Sequence, residues 1–285
     1  MRVLKIKQTI VLAASFSAAL CICTANADTL NGGGGSWQSA GSWTQSQLYQ
    51  GTSPTPGTPY WNNNSGDGPK GNVGWCLTGG STTCTMNGAP NSTLPYFGNG
   101  TAAVANMYFT SSGLPVSLTV DGIHTNEIIA DAYDVFGYYE VPTTGLPTLH
   151  PLFTTNPNSS PISVGSTATF DPTGNYGYYI ENIKGGGTAF ESDYFFYMND
   201  AWDQQLSLGP DGLQHFAVFQ NGSNYIIGDV DGVGCTTNVA CVHPTDFDYQ
   251  DILVTAVNTP EPATFGLIGA SLLLFGGLLR RKLRH

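Results

Sequence analysis

The sequence predicts an all-β fold: an antiparallel, jelly-roll-like β-sandwich with an irregular Gly/Ser/Pro-rich N-terminal extension and a C-terminal single transmembrane helix. Three observations carry this reading. Short runs of strand-forming residues, several of them alternating apolar with polar, are separated by turn residues at roughly the 8–12-residue spacing of sandwiches and barrels. Charged residues make up only 10% of the chain while aromatics reach 12%, alongside 36 glycines. That is a turn-rich composition with enough aromatic content for a core, which disordered chains lack. Between residues 28 and 259 no segment shows a convincing apolar period of an amphipathic helix.

Residues 28–100 form the irregular extension. It opens on Gly32–Gly35, then runs through two near-copies, residues 35–40 and 41–46, each containing Gly-Ser-Trp. Two copies are too few for a solenoid. The Pro/Gly/Thr run Thr52–Pro59 is incompatible with regular structure. Tyr60, Trp61 and Trp75 either stack on a sugar or pin this long segment onto the sandwich.

Residues 101–259 form the sandwich core. Ala103–Phe109 and Val116–Val120 flank Ser111-Ser112-Gly113 and read as a hairpin. Asn126–Val141 reads as one long or two short strands. Thr167–Phe170, Tyr176–Ile183 and Thr188–Met198 follow, separated by Asp171–Asn175 and by Gly185-Gly186-Gly187. His215–Gln220 and Tyr225–Gly228 flank Asn221-Gly222-Ser223-Asn224, a second hairpin signal. Ile252–Val257 closes the domain.

Both ends carry targeting features. Arg2, Lys5 and Lys7 precede the apolar run Ile10–Ile22, and Ala25-Asn26-Ala27 is an A-x-A cleavage site. Residues 1–27 therefore read as a signal peptide for signal peptidase, with Asp28 the first mature residue. Cys21 and Cys23 follow Leu20 and Ile22 rather than a small residue, which excludes a lipoprotein signal. At the other end Pro260-Glu261-Pro262 precedes the apolar run Ala263–Leu279 and the basic stub Arg280–His285. The run is at the short end of what spans a ~30 Å hydrocarbon core, and the basic stub keeps its own end cytoplasmic. Residues 260–285, under a tenth of the chain, resemble the PEP-CTERM sorting signal of Gram-negative bacteria. The resemblance implies recognition by a membrane protease of the exosortase type, with the helix as a transient anchor before release to the cell surface or beyond. A permanent tail anchor is the alternative. The same signal also goes under an ice-binding label, but no regular Thr array suggests a flat ice-matching face.

The exported part is acidic. Between Asp28 and Thr259, Lys70 and Lys184 are the sole cations against 19 of the chain's 20 acids, a net charge of −17. This argues against nucleic acid and against docking on anionic lipid, both of which need Lys and Arg. Four cysteines follow the signal peptide, in two close pairs, Cys76/Cys84 and Cys235/Cys241. In an oxidising compartment local pairing is the expected connectivity of the three open to four cysteines. The lack of C-x-x-C, with His243 the sole nearby His, argues against zinc.

The densest constellation of acids lies near the end of the domain. Asp229-Val230-Asp231-Gly232 precedes the second cysteine pair, and Asp246-Phe247-Asp248-Tyr249-Gln250-Asp251 follows it. The second stretch resembles the D-x-D-Y-x-D motif of exported bacterial β-domains, with Gln250 where Asn usually stands; the resemblance implies a β-sandwich and a calcium site. Two readings of the residues stay open. Asp229, Asp231, Asp246, Asp248 and Asp251 converge on Ca²⁺, which takes six to eight oxygens, or they cap turns and accept backbone hydrogen bonds. An EF-hand is excluded by Val233 and Ala240 at its fifth and twelfth positions.

Catalytic signals are thin. Glu191-Ser192-Asp193 resembles the start of the jelly-roll glucanase pattern E-x-D-x-x-E, but position 196 is Phe. Glu181, Glu191 and Asp193 are the remaining glycosidase-type acids, a mechanism that needs two carboxyls roughly 5–9 Å apart. No nucleophile elbow, P-loop or H-E-x-x-H is present. The expected function is a non-enzymatic surface or extracellular-matrix β-domain, associated with exopolysaccharide and biofilm. The alternative is a secreted carbohydrate-binding or carbohydrate-cleaving domain using Trp61, Trp75 and Glu191.

Overall fold

The computed structural model describes residues 27–39, 59–62, 73–77, 94–100, 102–123, 132–155, 162–184, 194–203, 212–230 and 249–258. The chain divides into two units. Ala27–Asn258 is one, and Met1–Asn26 with Thr259–His285 is the other. Residues 1–26 of the expected signal peptide, the motif Pro260-Glu261-Pro262 and the expected C-terminal helix lie outside the described residues. Among those described, no helix is long and apolar enough to cross a membrane.

The fold is all-β, with two antiparallel sheets. The strands are β1 (Thr29–Gly32), β2 (Ser36–Gln38), β3 (Tyr96–Gly98), β4 (Met107–Thr110), β5 (Val116–Ile123), β6 (Ala132–Glu140) and β7 (Leu149–Thr154), then β8 (Thr167–Phe170), β9 (Asn175–Lys184), β10 (Tyr194–Tyr197), β11 (Phe216–Asn221), β12 (Asn224–Asp229) and β13 (Ile252–Asn258). A one-turn helix α1 (Val73–Leu77) and a 3₁₀ turn, Asp200–Trp202, complete the described elements. One sheet runs β1-β4-β9-β6-β7, with β10 also paired to β9; the other runs β2-β3-β11-β12-β13-β5-β8.

One core lies between the sheets. Met107, Phe109, Phe136, Tyr178 and Ile180 enter it from the first sheet, and Leu118, Val120, Val218, Ile227 and Val254 from the second. Each side chain buried in this way stabilises by roughly 1.5–3 kcal/mol. Aromatic pairs bridge the layers: Phe109 meets Tyr225 at 5.0 Å between ring centroids, and Phe170 meets Tyr176 at 5.5 Å. A second cluster covers the outer face of the β11–β12–β13 strands, where Trp61, α1 and Tyr249 pack on Ala217, Phe219, Ile226 and Leu253.

Several expectations change here. Residues 28–100 are not wholly irregular, since β1, β2 and β3 are strands of the two sheets. They were illegible because each is only three or four residues long. The segment Ser111-Ser112-Gly113 does not close a hairpin. β4 pairs with β1 and β9, whereas β5 pairs with β13 and β8, so the chain crosses between sheets there. Gly113 supplies the positive φ of 80° that this corner needs. The turn at Asn221–Asn224 does close a hairpin, with Asn221 opposite Asn224 and Gly222 at φ 64°. β7 contains Pro151, which lacks an N–H and sits on an edge strand where that loss is tolerated.

Candidate functional site: the acidic loop and its stem

The acidic constellation flanks the connection from β12 to β13. Asp229 is the last residue of β12 and is fully buried. Its side-chain Oδ1 accepts the N–H of Ile252 at 2.9 Å, the first residue of β13, and its carbonyl accepts the N–H of Asp251 at 3.1 Å. One carboxylate oxygen of Asp229 therefore starts the next strand, which is the capping role that short acidic side chains play at turns.

The two ends of the connection are pinned by a buried polar network. Val230 donates its N–H to the carbonyl of His215 at 3.1 Å, and the Val230 carbonyl lies 2.9 Å from Nδ1 of His215. The His215 ring stacks on Phe196 at 3.7 Å. Tyr249, in the left-handed region at φ 56°, donates its hydroxyl to the carbonyl of Gln214 at 2.6 Å. Its backbone passes so close over β12 that a Cβ at Gly228 would collide with the Tyr249 carbonyl oxygen. Gln214 in turn donates Nε2 to the carbonyls of Val104 and Met198 and to Asp200 Oδ1, at 2.9–3.1 Å, while its Oε1 accepts the N–H of Phe216. The two hydrogens of that amide are shared among three acceptors, and a buried network of this kind fixes one arrangement of the chain.

The five aspartates divide. Asp229 is placed as a strand cap and Asp251 is partly buried beside it; Asp231, Asp246 and Asp248 lie outside the described residues. Among the described residues no group of three or more His, Cys, Asp or Glu could hold a metal ion. Cys76 is fully buried and disulfide-bonded, with its Sγ 3.5 Å from Oε1 of Gln250 in the loop stem. Cys84, Cys235 and Cys241 lie outside the described residues.

Tyr60 and Trp61 pin the N-terminal segment rather than face solvent, while the side chain of Trp75 lies outside the described residues. Trp61 is fully buried and meets Phe219 edge-on at 5.0 Å and Tyr96 at 5.8 Å. Tyr60 lays its hydroxyl 3.2 Å from the carbonyl of Phe216, and burial pushes its phenol far above the usual range. Trp61 therefore cannot stack on a sugar. Of the glycosidase-type acids, Glu181 sits on β9 opposite Phe195 of β10, while Glu191 and Asp193 lie outside the described residues. Phe196, at the position where the glucanase pattern needs an acid, is fully buried in the core.

Reasoning from sequence overlooked Gln214, Asn258 and the structural use of Asp28. Gln214 is a lone amide with no motif around it. Asp28 stands out only as the residue after the Ala25-Asn26-Ala27 motif, and nothing local shows that it is 2% exposed. No protein-family model, no curated protein and no solved structure matches the chain.

Proposed function

We propose that this chain is an exported, non-enzymatic β-domain of the cell surface or extracellular matrix, sorted through the PEP-CTERM route and associated with exopolysaccharide. The observation that carries the reading is the ordered triplet at residues 260–285: Pro260-Glu261-Pro262, the apolar run Ala263–Leu279, and the basic stub Arg280–His285. An A-x-A site before Asp28 and a net charge of −17 between Asp28 and Thr259 are in keeping with life outside the cell. The finer fold reading is a jelly-roll-like sandwich. It is supported by the chain's repeated passage between sheets, at β1–β2, β3–β4, β4–β5, β5–β6, β7–β8, β8–β9 and β10–β11. Asp231, Asp246, Asp248 and Asp251 are the proposed calcium ligands, with Asp229 capping the start of β13.

Intact-mass analysis of the protein from its native host tests this. The expected product starts at Asp28 and ends near Pro260–Pro262, with any attached group visible as added mass. Retention of Ala263–His285 in most molecules would refute sorting and leave a tail-anchored protein.

A further inference from the structure

Every polar backbone and side-chain atom of Asp28 is engaged. Its N–H donates to Asn258 Oδ1 at 2.9 Å. Its Oδ1 accepts the N–H of Ser112 at 2.7 Å, its Oδ2 accepts the Tyr176 hydroxyl at 2.6 Å, and its carbonyl accepts the Tyr225 hydroxyl at 2.6 Å. These partners come from the β4–β5 corner, β9, β12 and the last residue of β13, so one residue ties both sheets and both ends of the domain. Four bonds to a residue this well buried exceed what a linker from a leader to a domain requires.

The same residue follows the A-x-A site. Hydrolysis there breaks the bond between the Ala27 carbonyl carbon and the Asp28 nitrogen. Water's hydroxyl stays on Ala27 as its carboxylate, and the released amine takes a proton. An amide that donates one hydrogen thereby becomes a cation with three, still beside Asn258 Oδ1 and on the same residue as a carboxylate. We propose that the α-ammonium made by signal-peptide removal is a structural latch, binding the first residue of the mature chain to the end of its last strand through Asn258. The proposal rests on Asp28 being the mature N-terminus. In a domain whose other cations are Lys70 and Lys184, this charge is one of three.

The latch has a pH signature. A free α-amine titrates near 7.7–8.0. Acceptor oxygens favour its charged form and raise that value in the folded state. The stabilisation is then fully present below about pH 7.7 and is lost as pH rises through the folded value. Among the described residues, the charged and titratable groups against Asp28 are its own carboxylate and the phenols of Tyr176, Tyr225 and Tyr178. Burial pushes all three phenols up, so they stay protonated across this window.

The test expresses the full chain in two forms. One is processed; in the other Ala27→Leu blocks cleavage, so the nitrogen of residue 28 stays an amide. Mass spectrometry first fixes the N-terminus, and denaturant unfolding is then compared at pH 7 and pH 9.5. The processed form is expected to lose stability relative to the blocked form. The unfolding constant should rise up to about tenfold for each unit by which the fold raises the amine, and Asn258→Leu should abolish the difference. An N-terminus at Asp28 with parallel pH profiles overturns the latch and leaves the cleavage site standing. An N-terminus elsewhere overturns both. Should the blocked chain misfold, competitive acylation of the processed protein reads the amine directly. A titration at or below the range of a free α-amine overturns the latch; one displaced upward supports it.

Discussion

Replacing Trp61 by Ala separates the two readings of the N-terminal aromatics, because one predicts a loss of stability and the other a loss of sugar binding. The indole is fully buried on the outer face of the second sheet, edge-on to both Phe219 and Tyr96. Truncating a buried Trp costs about 3–5 kcal/mol, the spread reflecting how far the site can collapse. Collapse is restricted here, because Phe219 and Tyr96 belong to paired strands, β11 and β3. The upper half of the range is therefore expected. For a unit of this size 1 kcal/mol moves Tm by roughly 2–4 °C, so the variant should melt on the order of 10 °C or more below the parent. Urea unfolding should show a lower midpoint at an unchanged slope, the mark of altered stability rather than of an altered unfolded state. A cycle with Phe219→Leu should return a coupling of about 0.5–1.5 kcal/mol for the edge-to-face pair. A loss under about 1 kcal/mol would mean that residues 59–62 add little to the core, and the account of Trp61 as a pin would be refuted.

Two further outcomes concern the cysteines and the acids. Non-reducing peptide mapping should link Cys76 to Cys84 and Cys235 to Cys241; a cross-link from Cys76 to Cys241 would refute local pairing. If the aspartates bind calcium, millimolar Ca²⁺ should raise the melt above that in EDTA, by about 2.7 kcal/mol at a hundredfold excess over Kd. Asp246→Asn with Asp248→Asn should remove that difference, and identical melts of the parent in Ca²⁺ and EDTA would leave the acids as turn caps.

What could be read ahead of the structure followed from local chemistry. β8 spans the residues expected of it, Thr167–Phe170, and β9, β11, β12 and β13 lie within a residue or so of theirs, because each is bounded by turn residues. The Asn221–Asn224 hairpin was legible because a two-residue turn with Gly decides its own geometry. The corner at Ser111–Gly113 has similar local chemistry, yet its strands diverge to different sheets. That corner is held from a distance, by Asp28, which accepts the Ser112 N–H from 84 positions away. β1, β2 and β3 take their strand state from partners rather than from their own pattern: Leu30 lies opposite Phe109, and Trp37 opposite Phe97. In the candidate site the acids stood out by density, and the sequence left calcium binding and turn capping both open. The capping role of Asp229 needed the position of Ile252 to be seen. Gln214 could not have been singled out, because the groups it joins lie as far as 110 residues away in the chain.

The bond between Asp28 and Asn258 also bears on how the domain could be rewired. The chain enters and leaves the sandwich at one point, so a linker of a few residues from 258 back to 28 would close the backbone into a ring without moving a strand. New ends opened at the exposed Gly222-Ser223 turn would cut only the connection between β11 and β12, whose pairing is set by neighbours on both sides. The domain is thus suited to circular permutation, and to insertion as a whole cassette into a loop of an unrelated host, which would feel it as little more than a short excursion of its own chain.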